Sequence, residues 1–279
     1  MANITYEETS GIGPSARLWK KINLPSGSGF FRTTGEGNPA IGFYDDFLRF
    51  SETTLTDGYI HLQSGSGTVV QGTSTATAPG IITLLSTADN DEPVIQLGNG
   101  LDVGAFRLQK DFVFEARVKV NAAAIAVDDH SYFIGMATGG AAGAAITNLL
   151  FTTGDAIYAA CNLVGFQHLD GESTALDAMY QASGQTKVDG AVDTDLDTVH
   201  TLVADTWVKL GFRFTAAKPR KLEWFVDGAE VCQIEETAVS AAAFPDADTA
   251  FMQPTIGMRG ADSSNATISV DWWACAQLY

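Results

Sequence analysis

From Phe112 to Val120 the chain reads FVFEARVKV, which places Phe112, Phe114, Ala116, Val118 and Val120 on one side of an extended backbone and Val113, Glu115, Arg117 and Lys119 on the other. Successive side chains of a strand point to opposite faces, so this alternation describes a strand with one face in a core and one face toward solvent. The pattern recurs. Val208, Leu210, Phe212 and Phe214 alternate with Lys209, Gly211 and Arg213; Leu222, Trp224 and Val226 alternate with Glu223 and Asp227; Ile268, Val270, Trp272 and Ala274 alternate with Ser269 and Asp271. Strands that are apolar on one side must cover that side with a second sheet. An all-β sandwich of two antiparallel sheets is therefore expected.

Composition supports one large core. Hydrophobic residues make up 46% of 279 residues and include sixteen Phe; all-β units commonly run to about 200–250 residues. Thirty-three acidic residues against sixteen basic give a net charge of −17. Such a surface repels phosphate backbones and anionic lipid, which argues against nucleic acid or a membrane as partner. Cys161, Cys232 and Cys275 are odd in number and far apart, unlike a disulfide framework or a zinc site, so free buried thiols and synthesis in a reducing cytoplasm are expected. The opening MANITYEETSGIGPS has no basic, apolar and cleavage regions in succession, and no stretch of the chain resembles a membrane span.

The first part of the chain has a different texture. Gly, Pro, Ser and Thr dominate it, with SGSG at residues 26–29 and TTGEGNP at residues 33–39, yet Leu18, Trp19, Ile22, Phe30 and Phe31 interrupt them. A solvated tail rarely carries a Trp and a Phe pair, so residues 1–44 read as an extended N-terminal arm that docks on something, and residues 45–279 as the sandwich. The competing reading makes the arm the first strand or two of the sandwich. Beyond it, apolar runs at residues 59–62, 81–85 and 94–97 are separated by turn-forming clusters. Asp227-Gly228 supplies the positive φ angles of a tight hairpin spanning residues 222–234. Residues 137–145 are nearly all small, and residues 184–197 carry four acidic side chains and read as a long exposed connection. Leu176, Ala178, Met179 and Tyr180 fit helix and strand periodicity alike.

Motifs of chemistry are weak. GIGPSA at residues 11–16 fits a dinucleotide-binding turn only formally, since neither a strand before it nor a helix after it is expected. Asp193, Asp195 and Asp197 open like a calcium loop, but Thr198 and Ala204 stand where such a loop needs Gly and Glu; a solvated acidic loop is the preferred reading. His61, His130, His168 and His200 are scattered, and Asp128, Asp129 and His130 cannot all point one way along a strand. The E-x-D-x-x-E motif of laminarinase-like glycosidases is missing: Glu223 and Asp227 share a strand face, but Gly228 makes Asp227 a turn residue. Trp224 and Trp272 fall on apolar faces and read as core, which leaves Trp273 as the candidate for a contact surface. No catalytic, cofactor-binding or metal-binding residue is assigned.

Taken in order, DDFLRF (residues 45–50), ADNDEPVIQLG (88–98), KDFVFEARVKV (110–120), YFIGMA (132–137), ADTWVKLGFRF (204–214), KLEWFVDGAEV (221–231), PTIGMRG (254–260) and ATISVDWWACAQ (266–277) resemble the concanavalin A-like jelly-roll structural proteins of tailed bacteriophages. The resemblance runs from about Asp45 to the C-terminus and implies a jelly-roll sandwich, a virion role and no catalytic residues. The expected function is a non-enzymatic virion structural protein: a decoration protein on the outer capsid surface, partnered by the major capsid protein and by copies of itself, with a trimer as the expected assembly. The alternative is a tail or fibre component whose sandwich binds a host glycan. That alternative calls for exposed aromatics near residues 137–145 and 184–197, where Tyr180 is the nearest.

Overall fold

The computed structural model describes residues 14–15, 17–19, 29–33, 40–47, 59–71, 80–97, 106–125, 130–138, 161–171, 174–237, 241–245, 251–260 and 265–278. Seventeen strands follow one another along these residues: β1 (Gly29–Thr33), β2 (Ala40–Asp45), β3 (Tyr59–Ser64), β4 (Thr68–Gln71), β5 (Ile82–Ser86), β6 (Glu92–Leu97), β7 (Phe106–Arg107), β8 (Phe112–Val120), β9 (His130–Thr138), β10 (Leu163–His168), β11 (Ala175–Gln181), β12 (His200–Thr201), β13 (Val208–Thr215), β14 (Lys221–Val226), β15 (Ala229–Glu235), β16 (Phe251–Gly260) and β17 (Ala266–Leu278). A short 3₁₀ turn, Ala123–Ile125, follows β8.

The strands form two antiparallel sheets. Sheet 1 runs β1-β2-β17-β8-β13-β14-β15, with β5 pairing β17 and β4 pairing β5; sheet 2 runs β12-β11-β10-β9-β16-β6-β3, with β7 pairing β16. Between them lies one core built from the inward residues of both, including Phe112, Phe114, Phe212, Phe214 and Trp224 from sheet 1 and Tyr132, Ile134, Val164, Phe166 and Tyr180 from sheet 2. Each such side chain, taken from water, contributes about 1.5–3 kcal/mol. Rings lock the layer further: Phe112 stacks on Phe214 with centroids 5.0 Å apart. The Trp224 indole crosses the core from sheet 1 and donates to the Gly165 carbonyl of sheet 2 at 2.9 Å, which satisfies the polar handle of a buried ring.

The expected hairpin is present. β14 pairs with β15, and Asp227 and Gly228 turn between them with φ of 47° and 79°, the positive pair that a two-residue hairpin turn requires. Residues 175–181, where periodicity was ambiguous, form strand β11.

Two expectations are corrected and one is refined. Strand β1 lies within residues 1–44, β2 crosses their boundary to Asp45, and both join sheet 1, with β2 pairing Trp273 to Leu278 of β17; at these residues the N-terminal region is the first part of the sandwich, and residues 1–13, 16, 20–28 and 34–39 lie outside the described residues. The connection over residues 184–197 is exposed over most of its residues, as expected, and also seals an edge. Its Val188 exchanges backbone hydrogen bonds with Tyr180 and its Leu196 carbonyl accepts from Ala178, so it continues the free edge of β11 until β12 takes over, an arrangement that blunts edge-to-edge pairing.

The second correction is a change of phase in β17. Val270 pairs with Val118, but Trp272 pairs with Arg117, so Asp271 is an extra residue in the ladder. A bulge of this kind shifts every later side chain to the opposite face. Ile268, Val270, Trp273 and Cys275 therefore face the main core, while Trp272, Ala274 and Ala276 face outward into a second cluster. Trp273 is 0% exposed and lies 5.5 Å from the Phe47 ring; it is core rather than a contact surface.

Candidate functional site

The outward residues of β8 were expected to meet solvent, yet Glu115 is 1% exposed and Val113 is buried beside it. What covers them is the N-terminal segment. The Ser15 backbone N–H donates to Glu115 Oε2 at 2.9 Å, the Ser15 hydroxyl donates to Oε1, and the Trp19 indole N–H donates to Oε2 at 2.7 Å. Trp19 N also bonds the Ser15 carbonyl at 3.0 Å, closing the segment into a turn. Leu18 and Trp19 pack with Ala40, Val113, Phe225, Trp272, Ala274 and Ala276. Gly211 leaves the space that Leu18 fills, because a Cβ there would stand 2.5 Å from Leu18 Cδ2. At the rim, Arg17 pairs with Glu230 at 2.8 Å.

Burial pushes the Glu115 carboxyl above its usual range, against the opposing pull of the Ser15 and Trp19 donors and the charge of Lys209. A buried carboxylate costs free energy unless hydrogen-bonded, and three donors supply that compensation. The seat for the segment is therefore polar at its centre and apolar around it.

Beside the seat is an open pocket of about 240 Å³ lined by Asp111, Val113, Arg213, Thr215, Glu223 and Leu278, among others. On its wall Arg213 grips Glu223 through two parallel bonds of 2.8 Å. Burial opposes ionisation of Glu223, but the hydrogen bonds and charges of Arg213 and Lys221 hold it below the usual carboxylate range. Further along the same face, Trp207 lies 4.7 Å beneath the Arg117 guanidinium and 5.2 Å from the Lys119 ammonium. Trp207 immediately precedes β13 and is in phase with the outward Lys209 and Arg213.

Residues on the outer face of sheet 2 are buried as well, among them Val94, Phe133, Leu163 and Met179. Its centre is floored by Gly135 and Gly165, directly paired across β9 and β10; a Cβ on either would meet the backbone of the neighbouring strand. Polar side chains flank this floor. Gln96 Nε2 donates to Thr255 Oγ1 at 2.9 Å, and that hydroxyl donates to the Gln253 carbonyl at 2.9 Å. Among the described residues the buried side-chain oxygens Gln96 Oε1 and Gln253 Oε1 have no hydrogen-bond partner. On the opposite flank Gln167 and Lys187 both reach Asp189 Oδ2, at 2.7 and 2.8 Å. Burial pushes the neighbouring Asp177 carboxyl up, with the charges of Asp197 and Asp189 adding to it and the Thr198 N–H opposing.

The residues weighed for chemistry do not converge. Asp193 Oδ1 caps the Asp195 N–H and Asp197 Oδ1 accepts from the Thr198 hydroxyl; among the described residues no three His, Cys, Asp or Glu side chains gather as ligands for one ion. Glu223 is held by Arg213, whereas Asp227 accepts from the Lys209 N–H at 2.9 Å. His168 stacks on Tyr132 in the core at 4.8 Å, His130 is buried, and His200 is half-buried. Residues 128–129 and 139–145, and the side chain of His61, lie outside what is described. Tyr180, the nearest aromatic to the acidic connection, is buried rather than exposed. All three cysteines are free, and burial pushes the thiols of Cys161 and Cys232 up to about 12, which keeps them protonated. Of the GIGPSA residues, the described ones, Pro14 and Ser15, belong to the docked segment.

No protein-family model and no curated protein matches the chain. Solved structures do match over nearly all of it. A protein of unknown function from Shewanella oneidensis MR-1 is 15% identical with a TM-score of 0.53, over 88% of this chain and 90% of that one. The carbohydrate recognition domain of Emp47p is 12% identical with a TM-score of 0.53, over 83% and 92%. Peanut lectin is 12% identical with a TM-score of 0.53, over 86% and 98%. The fold is a concanavalin A-like jelly roll. On this jelly roll the outward face of sheet 1 holds the N-terminal segment, and the outward face of sheet 2 holds the glycine floor and its two glutamines.

Proposed function

We propose that this jelly roll is a structural component of a bacteriophage virion, a decoration protein on the outer surface of the head, in contact with the major capsid protein and with copies of itself. The observation that carries the reading is the Glu115 seat. Sheet 1 is built to hold a turn of chain through a buried carboxylate and an apolar surround, a contact-bearing use of a sandwich face. Other carboxylates support the same reading, since Glu223, Glu236 and Asp189 each brace a neighbouring basic side chain. The ordered segments that resemble tailed-phage virion proteins supply the particle, and the acidic surface suits a protein displayed at high density in solution. Mass spectrometry of purified virions tests it: the chain is expected at high copy number, and its absence from the particle would remove the proposal.

A second reading has its own support. Among the described residues Gln96 Oε1 and Gln253 Oε1 are buried acceptors without a hydrogen-bond partner on the outer face of sheet 2, and groups of this kind call for a donor, which a ligand hydroxyl reaching that face would supply. This favours a tail or fibre component that grips a host glycan. A glycan array separates the two, because selective binding that is lost in Gln96→Ala supports the fibre reading and uniform silence supports the capsid one.

A further inference from the structure

We propose that the outer edge of β15 is a docking edge for an extended, basic segment of a partner protein, which joins sheet 1 as an added strand. β15 ends the sheet and pairs with β14 on one side. Among the described residues nothing pairs with its other side. Half of a strand's backbone N–H and C=O groups point away from any one neighbour, so β15 leaves an open row of donors and acceptors. On sheet 2, by contrast, Val188 and Leu196 close the edge of β11 through backbone bonds to Tyr180 and Ala178. β15 has no such cover, and its sequence AEVCQIE contains neither the proline nor the lysine that commonly guards an exposed edge. The ladder with β14 slips once, at Val231, and is regular from Cys232 to Glu235. Val231 itself is 38% exposed.

The charges around this edge select the occupant. No Lys or Arg occurs from Leu222 to Thr237. Glu235 is exposed, and Lys221, its neighbour across the ladder, is engaged by Glu223 at 3.3 Å. Burial raises the Cys232 thiol, and the charges of Asp195, Asp193 and Glu230 add to it, so three carboxylates surround the middle of the strand. Among the described residues no ion pair holds Asp193, Asp195 or Glu235. A cation does fit here, since Arg17 pairs with Glu230 at 2.8 Å. A strand with Lys or Arg at alternate positions sets opposite charges beside these carboxylates. A second β15 brings Glu230 and Glu235 near their like, so a copy of this chain is the wrong occupant for this edge.

The edge is open whether or not the chain belongs to a particle, so the inference is independent of the virion reading. Isothermal titration of the full chain at low ionic strength tests it, with a blocked peptide of alternating Lys and Thr, roughly eight residues long to match a strand. Amide exchange is the second readout. Saturable binding is expected, together with slowed exchange at alternate amides of β15. A Lys-Pro peptide keeps the charge but lacks the alternate backbone donors, and it is expected to bind roughly tenfold more weakly. A similar loss is expected for the Lys-Thr peptide on Gln233→Lys, which sets a cation at an exposed position of the edge. No binding, equal binding of the Lys-Pro peptide, unchanged exchange in β15 at saturation, or an unchanged constant in Gln233→Lys would each overturn the docking edge.

Discussion

Trp19 donates its indole N–H to Glu115 at 2.7 Å across 96 residues of sequence, and the two side chains bury one another on the outside of a sheet. Alternation puts Glu115 on that outward face, but nothing in the pattern puts Trp19 over it. The consequence is a second, smaller core outside the sandwich, held by one carboxylate. Replacing Glu115 by Ala leaves the Ser15 and Trp19 donors without their acceptor, and an unmet buried donor costs about 1–3 kcal/mol. Amide exchange at Ser15 and Trp19 is expected to accelerate in Glu115→Ala while exchange in β9 and β10 stays slow. Slow exchange at Ser15 in that variant would show that Glu115 does not hold the segment.

The bulge at Asp271 makes the two adjacent tryptophans unequal. Trp273→Ala opens a cavity in the main core and is expected to cost about 3–5 kcal/mol in denaturant unfolding. Trp272→Ala strips the floor of the seat instead. It is expected to expose residues 14–19 to protease at a smaller cost in global stability. Equal losses, or a larger loss for Trp272, would contradict the shifted register.

Gly228 serves two structures at once. Its φ of 79° lies in the left-handed region, and a Cβ there would stand 3.0 Å from the Ser15 side chain. Gly228→Ala is expected to destabilise by about 1–2 kcal/mol through the turn alone, and to loosen the N-terminal segment as well. Far-ultraviolet melting with limited proteolysis reads both effects; a melting temperature equal to the parent's would refute the first.

Acid should act through His168. Burial pulls its pKa below 6.5, against the Ala175 carbonyl and Asp170. The folded state thus favours the neutral ring, and the unfolded state takes up protons first. The contribution of His168 is fully present above the unfolded value and is lost as pH falls below it. In His168→Phe, stability is expected to depend less on pH just below 6.5; an unaltered slope would argue against this assignment.

Glu236 works in a lower window. The Arg220 guanidinium beside it brings its carboxyl down to about 2, with burial opposing, through paired bonds of 2.8 Å. A depressed carboxylate stabilises above its unfolded value of 4.5 and loses that effect as pH falls toward 2. Glu236→Gln is expected to lower stability at neutral pH and to converge on the parent at pH 2; a constant difference across that range would contradict the pairing.

Much of this architecture was legible because alternation is a local code. Phe112 through Val120, Val208 through Phe214 and the Asp227-Gly228 turn each declare their faces within a few residues. Trp272 and Trp273 take the faces opposite to those the alternation predicts, because an extra residue in a ladder is invisible to a pattern of period two: only pairing to Val118 and Arg117 reveals it. Glu115 read as a solvent-facing strand residue, since nothing nearby in sequence announces that Ser15 and Trp19 will cover it. The Leu18-Trp19 pair in a polar stretch did signal docking, but not the surface on which it docks. Gln96 and Gln253 sit on strands buried on both faces, where polar residues have no periodic mark.

The central claim is that this jelly roll bears contacts on a phage head, and electron cryomicroscopy of the purified particle tests it most directly. The account predicts sandwich-shaped density repeated over the outer capsid surface, each copy contacting the major capsid protein. Density for the chain only at the tail tip, or none on the particle, would contradict it.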